Sequence, residues 1–189
     1  MVKLTPYSRD EFDESFITDD DPLEQARRTI YWAAATHSTT GATGFRCNTT
    51  RPGSIPAHDW ANMPDILEQV TERLRGVVVE HDAAVDVMLR YDGNDTLHYV
   101  DPPYVHDTRS KTGIGSYRHE MTDDNHRELA AVLHGLQGMV IVSGYACPLY
   151  DNELFPDWHR VERETFADGA RARTEVLWMK NVPVQNSFF

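Results

Sequence analysis

The segment that most restricts the fold is Thr96-Leu97-His98-Tyr99-Val100, a strand-forming run that ends directly in Asp101-Pro102-Pro103-Tyr104. Two consecutive prolines fix φ and remove two backbone donors, so a strand stops here with carbonyls left to accept from a ligand. A residue before proline is held extended, which aims the Asp101 carboxylate outward from the strand end. The flanking pattern places this strand in a layered sheet. Gly76-Val77-Val78-Val79 reads as a short buried strand, and Asp82 to Arg90 as a helix. Thr122 is suited to cap a further helix, with Asp123 and Asp124 in its first turn. That helix runs to about His134 and ends near Gly135, before a third buried strand at Met139-Val140-Ile141-Val142. Trp158 to Phe166 and Thr174 to Met179 alternate on either side of a Gly-containing turn, the pattern of an antiparallel hairpin. Strand, helix, strand, helix, strand and hairpin describe an α/β fold with an antiparallel edge.

The first part of the chain has a different character. Pro22 to about Thr36 has Leu23, Ala26, Ile30, Ala33 and Ala34 near helical spacing, after an Asp run suited to a helix N-terminus. Residues 37 to 59 are rich in Thr, Ser, Gly, Asn and Pro and read as a long loop. Pro64 to Arg75 resumes as a helix, with Ile66, Leu67, Val70 and Leu74 along one face. Three segments result: a helical and loop-rich one over residues 1–75, an α/β one over 76–182, and a tail over 183–189. The acidic run Asp10, Glu11, Asp13, Glu14, Asp19, Asp20 and Asp21 reads as a solvated face or loop.

Composition excludes some functions. With 40% hydrophobic and 25% charged residues the chain has the balance of a soluble globular protein. No run approaches the roughly 18 apolar residues of a membrane helix, and the start lacks the apolar core of a signal peptide. Cys47 and Cys147 are too few and too far apart for a disulfide framework, so a cytoplasmic setting is expected. A net charge of −12 argues against holding DNA by bulk electrostatics, which needs a basic surface, but leaves room for a local basic cleft. The nine histidines have no metal-ligand spacing, and no metal is expected.

The chemistry gathers at Asp101. In open α/β sheets, functional groups collect where strands end at their carboxyl edge. An acidic acceptor, a free carbonyl and an aromatic plate together suit a planar ring bearing an amine. The exocyclic amine of adenine is a poor nucleophile because its lone pair is delocalised into the ring. Asp101 and the Pro102 carbonyl can accept its two N–H bonds and help localise that pair. Tyr104 can stack on a base that has left the duplex, an interaction of about 1–3 kcal/mol. The competing reading is a tight Pro-Pro turn whose Asp caps a loop.

Val100-Asp101-Pro102-Pro103-Tyr104 resembles the catalytic motif of the amino-methyltransferases, and its setting resembles the D12-class DNA adenine-N6 methyltransferases of phages and bacteria. The similarity runs from about Leu4 to Lys180. It takes in Leu4-Thr5-Pro6-Tyr7-Ser8-Arg9-Asp10-Glu11-Phe12, Gly44-Phe45-Arg46, Pro56-Ala57-His58-Asp59-Trp60, Tyr117-Arg118-His119-Glu120-Met121, Ser143-Gly144-Tyr145 and Thr174-Glu175-Val176-Leu177-Trp178. The resemblance implies methyl transfer from S-adenosylmethionine to adenine in double-stranded DNA on a Rossmann-like sheet, in a restriction system or an orphan enzyme. It makes Asp101, Pro102 and Tyr104 catalytic, with Pro103, Ser143 and Tyr145 lining the target-base pocket; for Ser143 and Tyr145 the alternative is a simple turn. It places Asp82 against the adenine of the cofactor, where the alternative is a helix N-cap. Residues 1–75 match the part that reads DNA sequence in relatives. Arg46, Asn48 and Arg51 are of types that bond base edges. Arg109, Lys111 and Arg118, in the stretch from Val105 to Met121, are placed to pair with phosphates as that stretch closes over the base.

Relatives also carry a strand followed by a Phe-x-Gly-Gly or similar loop that cradles the methionine end of S-adenosylmethionine, and an acidic residue on its ribose. This chain is expected to lack both, because Gly41-Ala42-Thr43-Gly44 falls in a loop of the recognition region. In the family the corresponding strands lie mid-sheet, between the strands at Val77 and Leu97, so their absence would leave apolar edges open. The expectation is a partial methyltransferase sheet that binds the cofactor weakly or not at all by itself. A second polypeptide carrying the Gly-rich half, or a homo-oligomer, would complete it. The alternative is a catalytically inactive DNA-binding or regulatory fragment.

Overall fold

Helix α2, Pro22–Ala35, shows how local sequence starts the first unit: proline opens the helix, and the Asp21 carboxylate accepts from the Leu23 amide at 3.0 Å. The computed structural model describes residues 1–36, 44–47, 55–108, 119–167 and 171–183. The chain divides into two units, Met1–Val79 and Glu80–Phe189. In the first, α2 is joined by α1 (Arg9–Glu14), α3 (Pro56–Ala61) and α4 (Met63–Arg73). Their shared core is aromatic. Phe12, Tyr31, Ala35 and Trp60 are buried, and the Tyr31 and Trp60 rings meet edge to face at 4.7 Å. Each polar tip is satisfied, as burial requires. The Tyr31 hydroxyl accepts from the Ser8 amide and donates to the Ser8 carbonyl, both at 2.8 Å, while Trp60 Nε1 donates to the Thr5 carbonyl at 2.7 Å.

The early acidic run, read as a solvated face or loop, is in part a solvated helix face: α1 forms because Ser8 Oγ accepts from the Glu11 amide and Asp10 and Glu11 occupy the favourable first turn, and Asp10, Asp13 and Glu14 are exposed. Two other expectations for this part need correction. The stretch read as loop to residue 59 already contains α3, with Pro56 at its first position. The Val77–Val79 tract is neither strand nor buried. It is 48, 72 and 83% exposed at its three valines, and among the described residues it pairs with no strand. Gly76 there serves as a turn beyond the end of α4. Its φ is 78°, which glycine adopts without a Cβ penalty, and the Val77 amide returns to the Leu74 carbonyl at 2.9 Å.

The second unit holds a four-stranded mixed sheet in the order β1-β2-β4-β3. Strand β1 (Leu97–Val100) is parallel to β2 (Met139–Tyr145); β3 (His159–Ala167) and β4 (Arg171–Lys180) form the antiparallel hairpin, with β4 against β2. The connection from β1 to β2 contains α6 (Asp123–Gly135), whose Thr122 and Asn125 make a reciprocal capping box. Helix α5 (Ala84–Tyr91) precedes β1. The core lies on one face of the sheet. Met88 of α5 and Leu129 and Leu133 of α6 are buried with Val140, Val142, Val176 and Trp178. Residues of the other parity point the opposite way, and there Leu97 and Tyr99 are 53 and 61% exposed. Among the described residues β1 pairs with β2 alone, so it is an edge of the sheet.

Candidate active site

The register of β1 on β2 builds the site. Val100 pairs with Val142, so the next residues, Asp101 and Ser143, come side by side at the carboxyl ends of two parallel strands. Asp101 is exposed and Pro102 behind it is buried, which anchors the turn while its carboxylate faces outward. Ser143 Oγ donates to Asp101 Oδ1 at 3.0 Å and lies 3.3 Å from the Val100 carbonyl. Three residues beyond Asp101 and two beyond Ser143, the Tyr104 and Tyr145 rings meet edge to face, with centroids 4.6 Å apart and planes at 81°. Four residues named from sequence are thus brought together: Asp101, Tyr104, Ser143 and Tyr145.

Beside them opens a cleft of about 590 Å³, lined by Glu80, Asp82, Met88, Tyr99, Asp101, Pro102, Pro103, Met121, Asn125, Glu128 and Leu129 among others. Asp82 is on its wall. It does not cap α5 through the N-cap position, which Ala83 holds without a side-chain bond. Its Oδ1 accepts from the Ala83 amide at 2.9 Å and its Oδ2 pairs with Arg90 at 2.8 Å. The Arg90 guanidinium, chiefly, holds the Asp82 carboxyl below the usual carboxylate range. Arg90 also reaches Glu80 at 3.2 Å, and the Tyr91 hydroxyl donates to Glu80 at 2.7 Å. Sequence reading did not single out Asn125 and Glu128. Their placement follows from the capping box at Thr122, which starts α6 at the cleft and was legible; which face α6 turns to it was not.

Arg46 belongs to the first unit. Its guanidinium donates to the Ala34 carbonyl at 3.0 Å and stands 3.7 Å from Asp59, while its own carbonyl accepts from the Tyr7 hydroxyl at 2.7 Å. Asn48, Arg51, Arg109, Lys111 and Arg118 lie outside the described residues. Among the described residues no group of three or more His, Cys, Asp or Glu is arranged to hold a metal ion. Nor, among them, is any helix long and apolar enough to cross a membrane.

A model of the D12 class N6 adenine-specific DNA methyltransferases matches residues 7–167. The chain belongs to this family. No curated protein matches it. Family membership makes it an S-adenosylmethionine-dependent DNA adenine-N6 methyltransferase by class, with a Rossmann-like fold, DNA as substrate and S-adenosylmethionine as methyl donor.

The cleft of this family member fits part of that donor. Its carboxylates suit ribose hydroxyls and the positive sulfonium, and Met88, Tyr99 and Leu129 offer apolar wall. The methionine carboxylate of the donor needs positive charge or a concave row of backbone N–H groups. Among the described residues lining the cleft there is no Lys, Arg or Gly, and the backbone N–H groups available to that carboxylate are those at the start of α5, where Ala83, Ala84 and Val85 form part of the wall. The described lining thus offers S-adenosylmethionine carboxylates, apolar wall and a helix start, and no cationic side chain.

Proposed function

We propose that this chain supplies the adenine-binding half of the methyl-transfer site, with Asp101 and the Pro102 carbonyl accepting the two N–H bonds of the target N6 amine. The observation that carries this reading is the exposed Asp101 carboxylate at the end of β1, held by Ser143 and flanked by Tyr104. Accepting both protons opposes delocalisation of the nitrogen lone pair into the ring and directs it away from the acceptors. Such preorganised hydrogen bonds matter most where charge develops, since they need no rearrangement during reaction. Tyr104 stacks on the flipped base, and Pro103, Ser143 and Tyr145 complete its pocket. Asp82 contacts the adenine of the methyl donor. Arg46, Asn48 and Arg51 read DNA, and Arg109, Lys111 and Arg118 hold its phosphates.

A second polypeptide carrying a Gly-rich segment, or another copy of the chain, completes donor binding. Two features support this part of the reading, both among the described residues: the outer edge of β1 has no strand partner, and the cleft wall has no cationic side chain for the donor's carboxylate. The same cleft wall favours a second reading, in which the chain binds DNA without catalysis. Digestion of unmethylated double-stranded DNA after incubation with the chain and S-adenosylmethionine, with and without such a polypeptide, distinguishes the two. N6-methyladenine by mass spectrometry supports the first. DNA binding with no methylated nucleoside under either condition supports the second.

A further inference from the structure

We propose that Ser143 is the positioning residue for the Asp101 carboxylate, so that the end of β2 sets the direction in which Asp101 accepts a donor. This rests on the reading of Asp101 given above. Alternate residues of a strand share a face, so Ser143 and Tyr145 project from one side of β2 and Gly144 from the other. The Gly144 side is closed by packing: a Cβ there would lie 3.3 Å from Trp178 Cζ3. The backbone of Ser143 is paired in register with Leu177 of β4 and its side chain is buried, whereas Asp101 is exposed. A rigid buried donor therefore holds a carboxylate that solvent and substrate can reach.

A serine hydroxyl has one proton to give, and two acceptors lie within reach. The carboxylate oxygen is charged and nearer, at 3.0 Å against 3.3 Å for the Val100 carbonyl, so it takes the bond. Proline at 102 already restricts the Asp101 backbone. With Oδ1 fixed by Ser143, the side-chain rotation is fixed as well, and Oδ2 is directed to an incoming N–H. Tyr145 holds the Tyr104 ring in the same way, edge to face at 4.6 Å. One face of one strand end thus orients both groups of the neighbouring turn.

The test compares the full chain with Ser143→Ala, Ser143→Thr, Asp101→Ala and the Ser143→Ala/Asp101→Ala double variant. Crystal structures are the first readout. In Ser143→Ala the Asp101 carboxylate is expected to move by more than about 0.5 Å or to split between rotamers, and Ser143→Thr to restore it. An unmoved carboxylate overturns the proposal, whatever the activity of the chain. The second readout is labelled-methyl transfer from S-adenosylmethionine to unmethylated mixed-sequence double-stranded DNA, with every variant supplied with the same polypeptide bearing the Gly-rich donor-binding segment. Ser143→Ala is expected to lower kcat about 10- to 100-fold with KM for DNA unchanged, and to add nothing in the Asp101→Ala background. An additive loss in the double variant also overturns it. Asp101→Ala at the wild-type rate instead refutes the catalytic reading of Asp101, and leaves the crystallographic result for Ser143 standing. If Ser143→Ala does not fold, Ser143→Cys, with a weak donor in similar volume, takes its place.

Discussion

Arg27, buried in the first unit, is held by two carboxylates, Glu11 at 2.6 Å and Glu24 at 2.6 Å. Glu24 also accepts from Arg28 at 2.8 Å. These hydrogen bonds, that from Arg27 first, bring the Glu24 carboxyl down to about 2. A lowered folded value gives stability that is complete above the unfolded value of 4.5 and is lost as pH falls through about 2. Wild type should therefore melt above Glu24→Gln near neutral pH, with the gap closing as pH is lowered through that window. A gap in melting temperature that stays constant across the window contradicts this account. At the same scale, Asp101 could be named as a candidate from sequence, and the side-chain contact it makes could not be read there. A carboxylate before two prolines announces itself locally, whereas Ser143 lies 42 residues further on and meets it through strand register alone.

Elements were legible where local chemistry decides them. Thr122 with acidic residues in the first turn of α6 marked its start, and the alternating runs marked the β3–β4 hairpin. Thr122→Ala removes the capping bond to the Asn125 amide and should cost about 1 kcal/mol in urea unfolding; no change in midpoint would contradict the cap. The valine tract after Gly76 misled because β-branched residues favour a strand only when a neighbour pairs with them. No local signal reports whether that neighbour exists. Register also depends on a tight passage into β2. A Cβ on Gly138 would lie 2.6 Å from the Thr96 carbonyl oxygen and 3.0 Å from that of Gly93, both backbone atoms. Asp92 ties the same turn by accepting from the Gln137 and Gly138 amides at 2.8 and 3.0 Å. Gly138→Ala should thus cost about 1–3 kcal/mol, read from the shift in thermal or urea midpoint. Full stability in that variant would mean the β1–β2 junction is looser than its contacts imply.

On the scale of the whole molecule, two units carry two kinds of core, one aromatic and helical, the other a sheet covered by helices on one face. The fold class was readable because hydrophobic period distinguishes the two. An open edge at β1 was expected through the family resemblance alone, since β1 itself looks the same in sequence whether or not a strand lies beyond it. A net charge of −12 makes adhesion to DNA by bulk attraction unfavourable, so recognition has to rest on local groups. Among the described residues β1 has a strand partner on one side only, which is the setting expected if another polypeptide completes the sheet. The central proposal is that Asp101 is the acceptor that prepares the adenine amine. Its most direct test is the rate of labelled-methyl transfer to unmethylated double-stranded DNA by wild type and Asp101→Ala, each supplied with a polypeptide bearing the Gly-rich donor-binding segment. The prediction is measurable transfer by wild type and a loss of about 100- to 1,000-fold in the variant, with DNA binding retained. Equal rates for the two proteins would contradict it.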